Sequence, residues 1–342
     1  GLEEFKATIT RNTLLKISNV ILIFIFVKNN SDLWKYVLIM SGMTLLGQIA
    51  LWGFLKNKIC FVKITLKDIT KHIKPNLILF IPVIATSLYK LMDKIMLGSM
   101  SSVVEVGYYE NAEKIINIPT AIITALGTVM LPRISNIMSK GKKDKVNSYV
   151  CKSISFVIFM SMAMSLGLIA IGYNFAPVYF GNEFQKTGIL IMLLAITLPF
   201  VAFANVIRTE YLIPAEKDRI YIESVVLGAI INLIFNIIFI PKLQSVGACI
   251  GTILAEITVM AYQSGKLKTE LEIKKYISDS IPFLIKAVIM FACVFVFNFI
   301  NINPLLRLMI QIVIGVIIYG MMNLKYILSM INFKLIVRKR SA

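Results

Sequence analysis

Six ionisable residues stand in stretches otherwise suited to hydrocarbon: Lys90, Asp93 and Lys94, then Glu110, Glu113 and Lys114. A charge at the centre of a membrane helix costs about 2.5–3.5 kcal/mol on insertion scales, so each calls for a reason. Offsets of three and four place each triplet on one helix face. The connection between the two stretches is short, so both triplets lie roughly 5–12 Å below the same helix ends at 1.5 Å per residue. Two uses suit the pattern and are compatible. The six charges neutralise one another and staple a helical hairpin. Alternatively, Lys90, Lys94 and Lys114 present cations to an anionic ligand while Asp93 and Glu113 orient them or bind a coupling cation.

Further candidates are scattered along the chain. Arg208 and Glu210 close an apolar stretch; the Arg208 guanidinium offers a planar fork for phosphate-like oxygens or, alternatively, an anchor that snorkels to the interface, and Glu210 is a candidate for orienting it or for ion coupling. Arg133, after Pro132, has the same two readings. Glu223 and Glu256 lie within apolar stretches, where a carboxylate binds Na⁺ or a proton, or pairs with a nearby Lys. Asn232 and Asn236, at i and i+4, suit hydrogen bonds between helices or to sugar hydroxyls. Gly247, Gly251 and Ala255 form a ridge of small residues for close helix packing. His72 is the sole histidine and lies among lysines, and the four cysteines share no CxxC spacing, so no metal site, disulfide or cofactor is expected.

These residues must be positioned by membrane helices. The chain has 58% hydrophobic residues and a mean hydropathy of +0.80. Apolar runs of about 18–22 residues match a hydrocarbon slab about 30 Å thick. Backbone groups in lipid must pair within the segment, so these runs are helices. Ten are expected, at 13–28, 35–55, 76–98, 112–132, 152–172, 187–208, 220–240, 245–263, 282–300 and 304–323. The net charge of +18 would suggest nucleic acid in a soluble protein, but the lysines concentrate in alternate connectors, 56–74 and 133–152. The charge is therefore a topology signal that places these connectors and both ends of the chain in the cytoplasm. Alternating Lys and apolar residues in the same connectors predict short helices lying on an anionic leaflet. Pro82, Pro119 and Pro199 are expected to kink their spans. A weak repeat relates the lead and glycines of the first two spans (Arg11, Lys16, Gly42, Gly47) to those of spans seven and eight (Lys217, Arg219, Gly247, Gly251).

The stretch from Leu88 to Gly98 (LYKLMDKIMLG), followed by Val106 to Lys114 (VGYYENAEK) and Leu131 to Ser135 (LPRIS), resembles the Wzx-type polysaccharide flippases. Those belong to the multidrug/oligosaccharidyl-lipid/polysaccharide exporter superfamily. The resemblance continues through Ile213 to Arg219, the Asn-bearing span from Ile231 to Ile237, and Val246 to Glu256. It implies an all-α, two-lobed fold of twelve to fourteen spans, of which this chain would hold the last ten, its N-terminal lobe incomplete. Residues 1–56 would end that lobe, 57–75 would be a cytoplasmic linker, 76–265 a six-helix C-terminal lobe, and 266–342 two added helices with a basic tail.

The resemblance further implies a non-enzymatic flippase in the bacterial cytoplasmic membrane. Its cargo would be an oligosaccharide on undecaprenyl diphosphate, destined for O-antigen, lipopolysaccharide, capsule or exopolysaccharide. Membrane lipids, a polysaccharide polymerase and a chain-length regulator would be its partners. Lipid II flipping and cation-coupled drug antiport are the alternatives. A membrane glycosyltransferase or polymerase is disfavoured by outer connectors without clustered His or carboxylates.

Overall fold

The computed structural model of the chain describes residues 5–55, 65, 70, 73, 91–300 and 302–330. Every regular element among them is helical. The chain divides into two compact units, Gly1–Phe80 and Ile81–Ala342. The expected surface helix in 56–74, and Pro82 and His72, lie outside the described residues.

In the first unit, α1 (Phe5–Phe26) and α2 (Leu33–Leu55) form an antiparallel hairpin. Asp32 closes the turn by accepting backbone N–H groups of Lys28 and Asn29 at 3.0 and 3.1 Å and pairing with Lys35 at 2.7 Å. At the other end Arg11 donates to the Gly47 carbonyl at 3.2 Å.

The second unit begins, in its described part, with helical residues 91–100 (α3). Ser102 caps the following helix by accepting from the Glu105 N–H, the usual work of a short hydroxyl at a helix start. That helix, α4 (Val103–Ser139), and its antiparallel neighbour α5 (Lys143–Phe180) hold 37 and 38 residues. At 1.5 Å per residue each runs about 55 Å, far beyond a 30 Å hydrocarbon layer. The Lys-rich connector 133–152 is therefore the projecting tip of a helical hairpin and not a helix lying flat. Its turn is tight because Gly141 adopts φ +68°, a conformation that favours glycine. Pro119 and Pro132 are carried inside α4, which stays continuous.

The expected sixth span is broken. α6 (Gln185–Ala195) and α7 (Leu198–Ile207) meet at an angle of 40°. The Ala195 carbonyl at the break accepts from Ser165 of α5 at 2.7 Å. Pro199 stands in the first turn of α7, where its missing N–H costs nothing. Beyond α7 the chain widens into a π-turn, Arg208–Leu212, with Ile213 N–H bonded to the Arg208 carbonyl.

α8 (Asp218–Leu243) and α9 (Ser245–Leu267) pack against each other as an antiparallel pair. A Cβ added at Gly247 would lie 2.5 Å from the backbone of Phe239, so no other residue permits this approach. α10 (Ile273–Val296) and α11 (Pro304–Met322) pack along α5. There Tyr319 donates to the Phe159 carbonyl at 2.9 Å and Asn298 to that of Ala170 at 3.0 Å.

Among the described residues seven helices, α2, α4, α5, α8, α9, α10 and α11, are long and apolar enough to cross a membrane, and the bent α6–α7 pair makes an eighth. The first expected span falls on α1, and the third is described only over 91–100. Large apolar side chains such as Ile285, Val316 and Ile237 stay exposed on the outer faces, as lipid-facing helices require. The chain is an all-α, multi-pass membrane protein.

Candidate functional site

The described members of the two charged triplets do not form one ionic network. Among the described residues they separate into three different environments. Lys94 pairs across the α3–α4 hairpin with Glu113 at 2.7 Å, both half-exposed. Lys114 pairs with Glu110 on its own helix at 3.4 Å and is largely exposed. Lys90 lies outside the described residues.

Asp93 leaves the charged group and turns inward, 8% exposed. Its carboxylate receives three neutral donors from three other helices. The Tyr109 hydroxyl of α4 donates at 2.7 Å, the Asn236 amide of α8 at 2.6 Å and the Thr252 hydroxyl of α9 at 2.9 Å. Asn236 also donates to Asn232 at 3.0 Å, one turn earlier on the same helix face. The Asn236 carbonyl oxygen is buried and without a hydrogen-bond partner.

Room for that oxygen comes from Gly251. A Cβ there would lie 2.3 Å from it. The small-residue ridge thus serves two ends: Gly247 brings the α8 and α9 backbones together and Gly251 admits the amide between them. Glu256 is partly buried and shares the Thr252 face of α9, because an offset of four returns to the same side. Oxygen atoms from a carboxylate, two amides and two hydroxyls converge here. Hard cations take such oxygen ligands, although no group of three His, Cys, Asp or Glu exists among the described residues.

The other sequence candidates are placed as follows. Arg208 donates to Asn205 at 2.9 Å and to the Tyr221 hydroxyl at 3.3 Å, and its guanidinium lies over the Tyr221 ring. Its Nε and the Asn205 Nδ2 are buried donors that meet no acceptor, so the pair retains capacity for an anion. Arg133 is engaged by Tyr149, both through its hydroxyl at 2.6 Å and over its ring. Glu223 accepts from Arg219 at 2.8 Å and from Tyr262 at 2.6 Å. Glu210 is fully buried on the π-turn, away from Arg208, since residues two apart do not share a helix face.

Two groups escaped the sequence reading. Tyr109 precedes the expected span 112–132, but α4 starts at Val103, so Tyr109 is already inside and 3% exposed. Glu105, expected in a connector, is buried and bonded to Lys186 at 2.6 Å and to the Ser245 N–H at 3.2 Å. It thereby ties the starts of α4, α6 and α9 together and supplies negative charge at the α9 N-terminus, where the helix dipole favours it.

Comparison with known proteins agrees with this architecture. Residues 1–138 match the model of a family described as polysaccharide biosynthesis protein. A putative O-antigen transporter of Shigella dysenteriae is 26% identical over 273 residues, covering 78% of this chain and 67% of that protein. A probable low-salt glycan biosynthesis flippase, Agl15 of Haloferax volcanii, is 24% identical over 70% of this chain and 50% of its own length. The chain thus spans about half to two-thirds of these two relatives. Among solved structures, lipid II flippase MurJ in an inward closed conformation superposes with a TM-score of 0.75 over 94% of this chain and 67% of its own, at 19% identity. At that identity the likeness concerns the fold. Over residues 1–138 the chain is similar to the polysaccharide biosynthesis protein family, over most of its length to a putative O-antigen transporter and a probable glycan flippase, and in fold to MurJ.

Proposed function

We propose that the chain takes part in moving an oligosaccharide on undecaprenyl diphosphate from the inner to the outer leaflet of the bacterial cytoplasmic membrane, supplying O-antigen, capsule or exopolysaccharide assembly. The observation that carries a transport role is Asp93, a carboxylate held in an apolar bundle by neutral donors from three helices. A static bundle gains little from a buried carboxylate, whereas a carrier uses one to bind a coupling cation. In this reading Asp93, Asn236 and Thr252 hold that cation, and Glu256 stands one turn away on the same face of α9.

The anionic head group is received by Arg208 and Asn205, whose buried donors are still free. Lys94 and Lys114 add cationic charge toward the Lys-poor side, with Glu113 and Glu110 orienting them. Arg133 and Glu223, already engaged by neighbours, contribute to the frame. Both ends of the chain face the cytoplasm, in keeping with the Lys-rich connectors on that side. A polymerase and a chain-length regulator are the partners such a flippase would feed.

The test uses flippase-deficient cells that accumulate lipid-linked repeat units, complemented with a gene carrying this chain. Surface polysaccharide should return, and Arg208→Ala and Asp93→Asn should each lose it at normal expression. Unaltered export in both variants would overturn the assignment of roles. Lipid II is the second cargo supported by the fold likeness; complementation of a lipid II flippase mutant without polysaccharide rescue would select it.

A further inference from the structure

Glu210 is the one described carboxylate whose side chain is wholly buried, with both oxygens lacking a hydrogen-bond partner. It stands on the π-turn Arg208–Leu212. Such wide turns are rare and recur at functional positions. The elements packed against this turn are α4, α5, α7 and α8. The described charged and titratable groups they bring nearby are accounted for without it. Arg133 of α4 is bonded to Tyr149, and Arg219 and Glu223 of α8 pair with each other. Tyr221 of α8 faces Arg208, Lys152 of α5 has an interaction of its own, and α7 carries no charged residue. On the turn itself, Arg208 is held by Asn205 and Tyr221, and Tyr211 donates to Glu270. Among the described residues, the buried Ser153 of α5 lies beside the carboxyl as a polar neighbour.

An ionised carboxylate enclosed without a cation or a donor set costs several kcal/mol. A protonated carboxyl has a single O–H to satisfy, and Ser153 suffices for it. We propose that Glu210 is a proton-binding site, separate from the Asp93 cluster, whose proton is retained while the π-turn is packed and released when that turn opens to water. Proton binding and closure of the turn are then two sides of one linked equilibrium, each favouring the other. The position fits a moving part: the turn follows a span already broken at 196–197 and bent by 40°. The proton site stands whatever the cargo, and only its coupling to transport rests on the flippase reading.

The test needs no substrate. The purified protein in lipid nanodiscs is titrated from acid to alkaline pH by infrared difference spectroscopy, with hydrogen exchange followed over 208–213. A protonated-carboxyl C=O band should vanish on alkalinisation in the wild type and be missing in Glu210→Gln. Exchange of 208–213, corrected for its intrinsic pH dependence, should rise about tenfold in the wild type and stay flat in the Gln variant. Ser153→Ala keeps the carboxyl and should shift the pH at which the band is lost, which retains a readout should the Gln variant fold poorly. An identical band in wild type and Glu210→Gln, or equal exchange profiles, would overturn the proposal. Because neither signal depends on flipping, loss of polysaccharide export leaves the proton site standing, and a missing band leaves the flippase reading standing.

Discussion

Asp93 separates folding from function in a way that two substitutions can read. Asp93→Ala removes the shared acceptor of three donors, yet each donor has a second partner already in place. Tyr109 retains the Thr252 hydroxyl at 3.0 Å, Asn236 retains Asn232 at 3.0 Å, and Thr252 retains the Ala248 carbonyl at 3.0 Å. None is stranded, so the full cost of a buried orphan, about 1–3 kcal/mol each, does not apply. Side-chain hydrogen bonds within membrane bundles average about 0.6 kcal/mol, which puts the total for Asp93→Ala near 2 kcal/mol. Asp93→Asn should cost less than about 1 kcal/mol. Its oxygen can still accept from Tyr109 and Thr252, and Asn236 can turn its amide so that the oxygen now lacking a partner accepts from the new NH₂ group.

Thermal unfolding in nanodiscs measures both variants, and cation-dependent export measures function. The expected pattern is a near-native Tm for Asp93→Asn with export and its cation dependence abolished. An Asn variant as unstable as the Ala variant would refute the fallback argument. An Asn variant exporting with the wild-type cation dependence would refute a coupling role.

Exchanging the charges of the Lys94–Glu113 pair tests whether the hairpin contact is an ion pair alone: each single reversal should cost up to about 1 kcal/mol, and the double reversal should recover it in the same unfolding assay. Within α9, Gly247→Ala should destabilise by about 1–3 kcal/mol because its Cβ meets the Phe239 backbone. Gly265→Ala, which meets nothing within 4 Å, should gain about 0.5–1 kcal/mol from helix propensity; equal shifts in Tm would contradict the packing. Lys35 and the backbone N–H groups of Lys28 and Asn29 hold the Asp32 carboxyl down from 3.8 to about 2. A depressed carboxyl stabilises the turn above its ordinary range and stops doing so as pH falls through its folded value. Amide exchange at Lys28 and Asn29 should therefore stay protected until about pH 2, and Asp32→Asn should lose protection and its pH dependence together.

Polar residues in apolar stretches pointed to Asp93, Asn232 and Asn236, which the fold brings together, because hydrocarbon makes every such residue conspicuous. Their partners were not legible for separate reasons. Thr252 looks ordinary in a membrane helix, where threonine can return its hydroxyl to the preceding turn, as it also does here toward Ala248. Tyr109 was hidden by helix length: α4 extends nine residues before the expected start at 112, which moves a ring from the expected connector into the bundle. The triplets were expected to meet because their spacing fits one face each, but α8 and α9 compete for Asp93 with better donors. Glu210 was visible as a residue and invisible as an isolated one. A π-turn follows from tertiary packing and leaves no periodic mark in the sequence.

The contact between Gly247 and the Phe239 backbone has a mechanical meaning. Side chains yield by changing rotamer; main chain against main chain does not. α8 and α9 therefore behave as a single stiff plank, and the polar groups they contribute to the Asp93 cluster keep a fixed spacing. Any change in the geometry of the cluster must then come from the opposite shore, where α3 contributes the Asp93 carboxylate and α4 the Tyr109 hydroxyl. The seam of glycines sets which half of the cluster is the anvil and which the hammer.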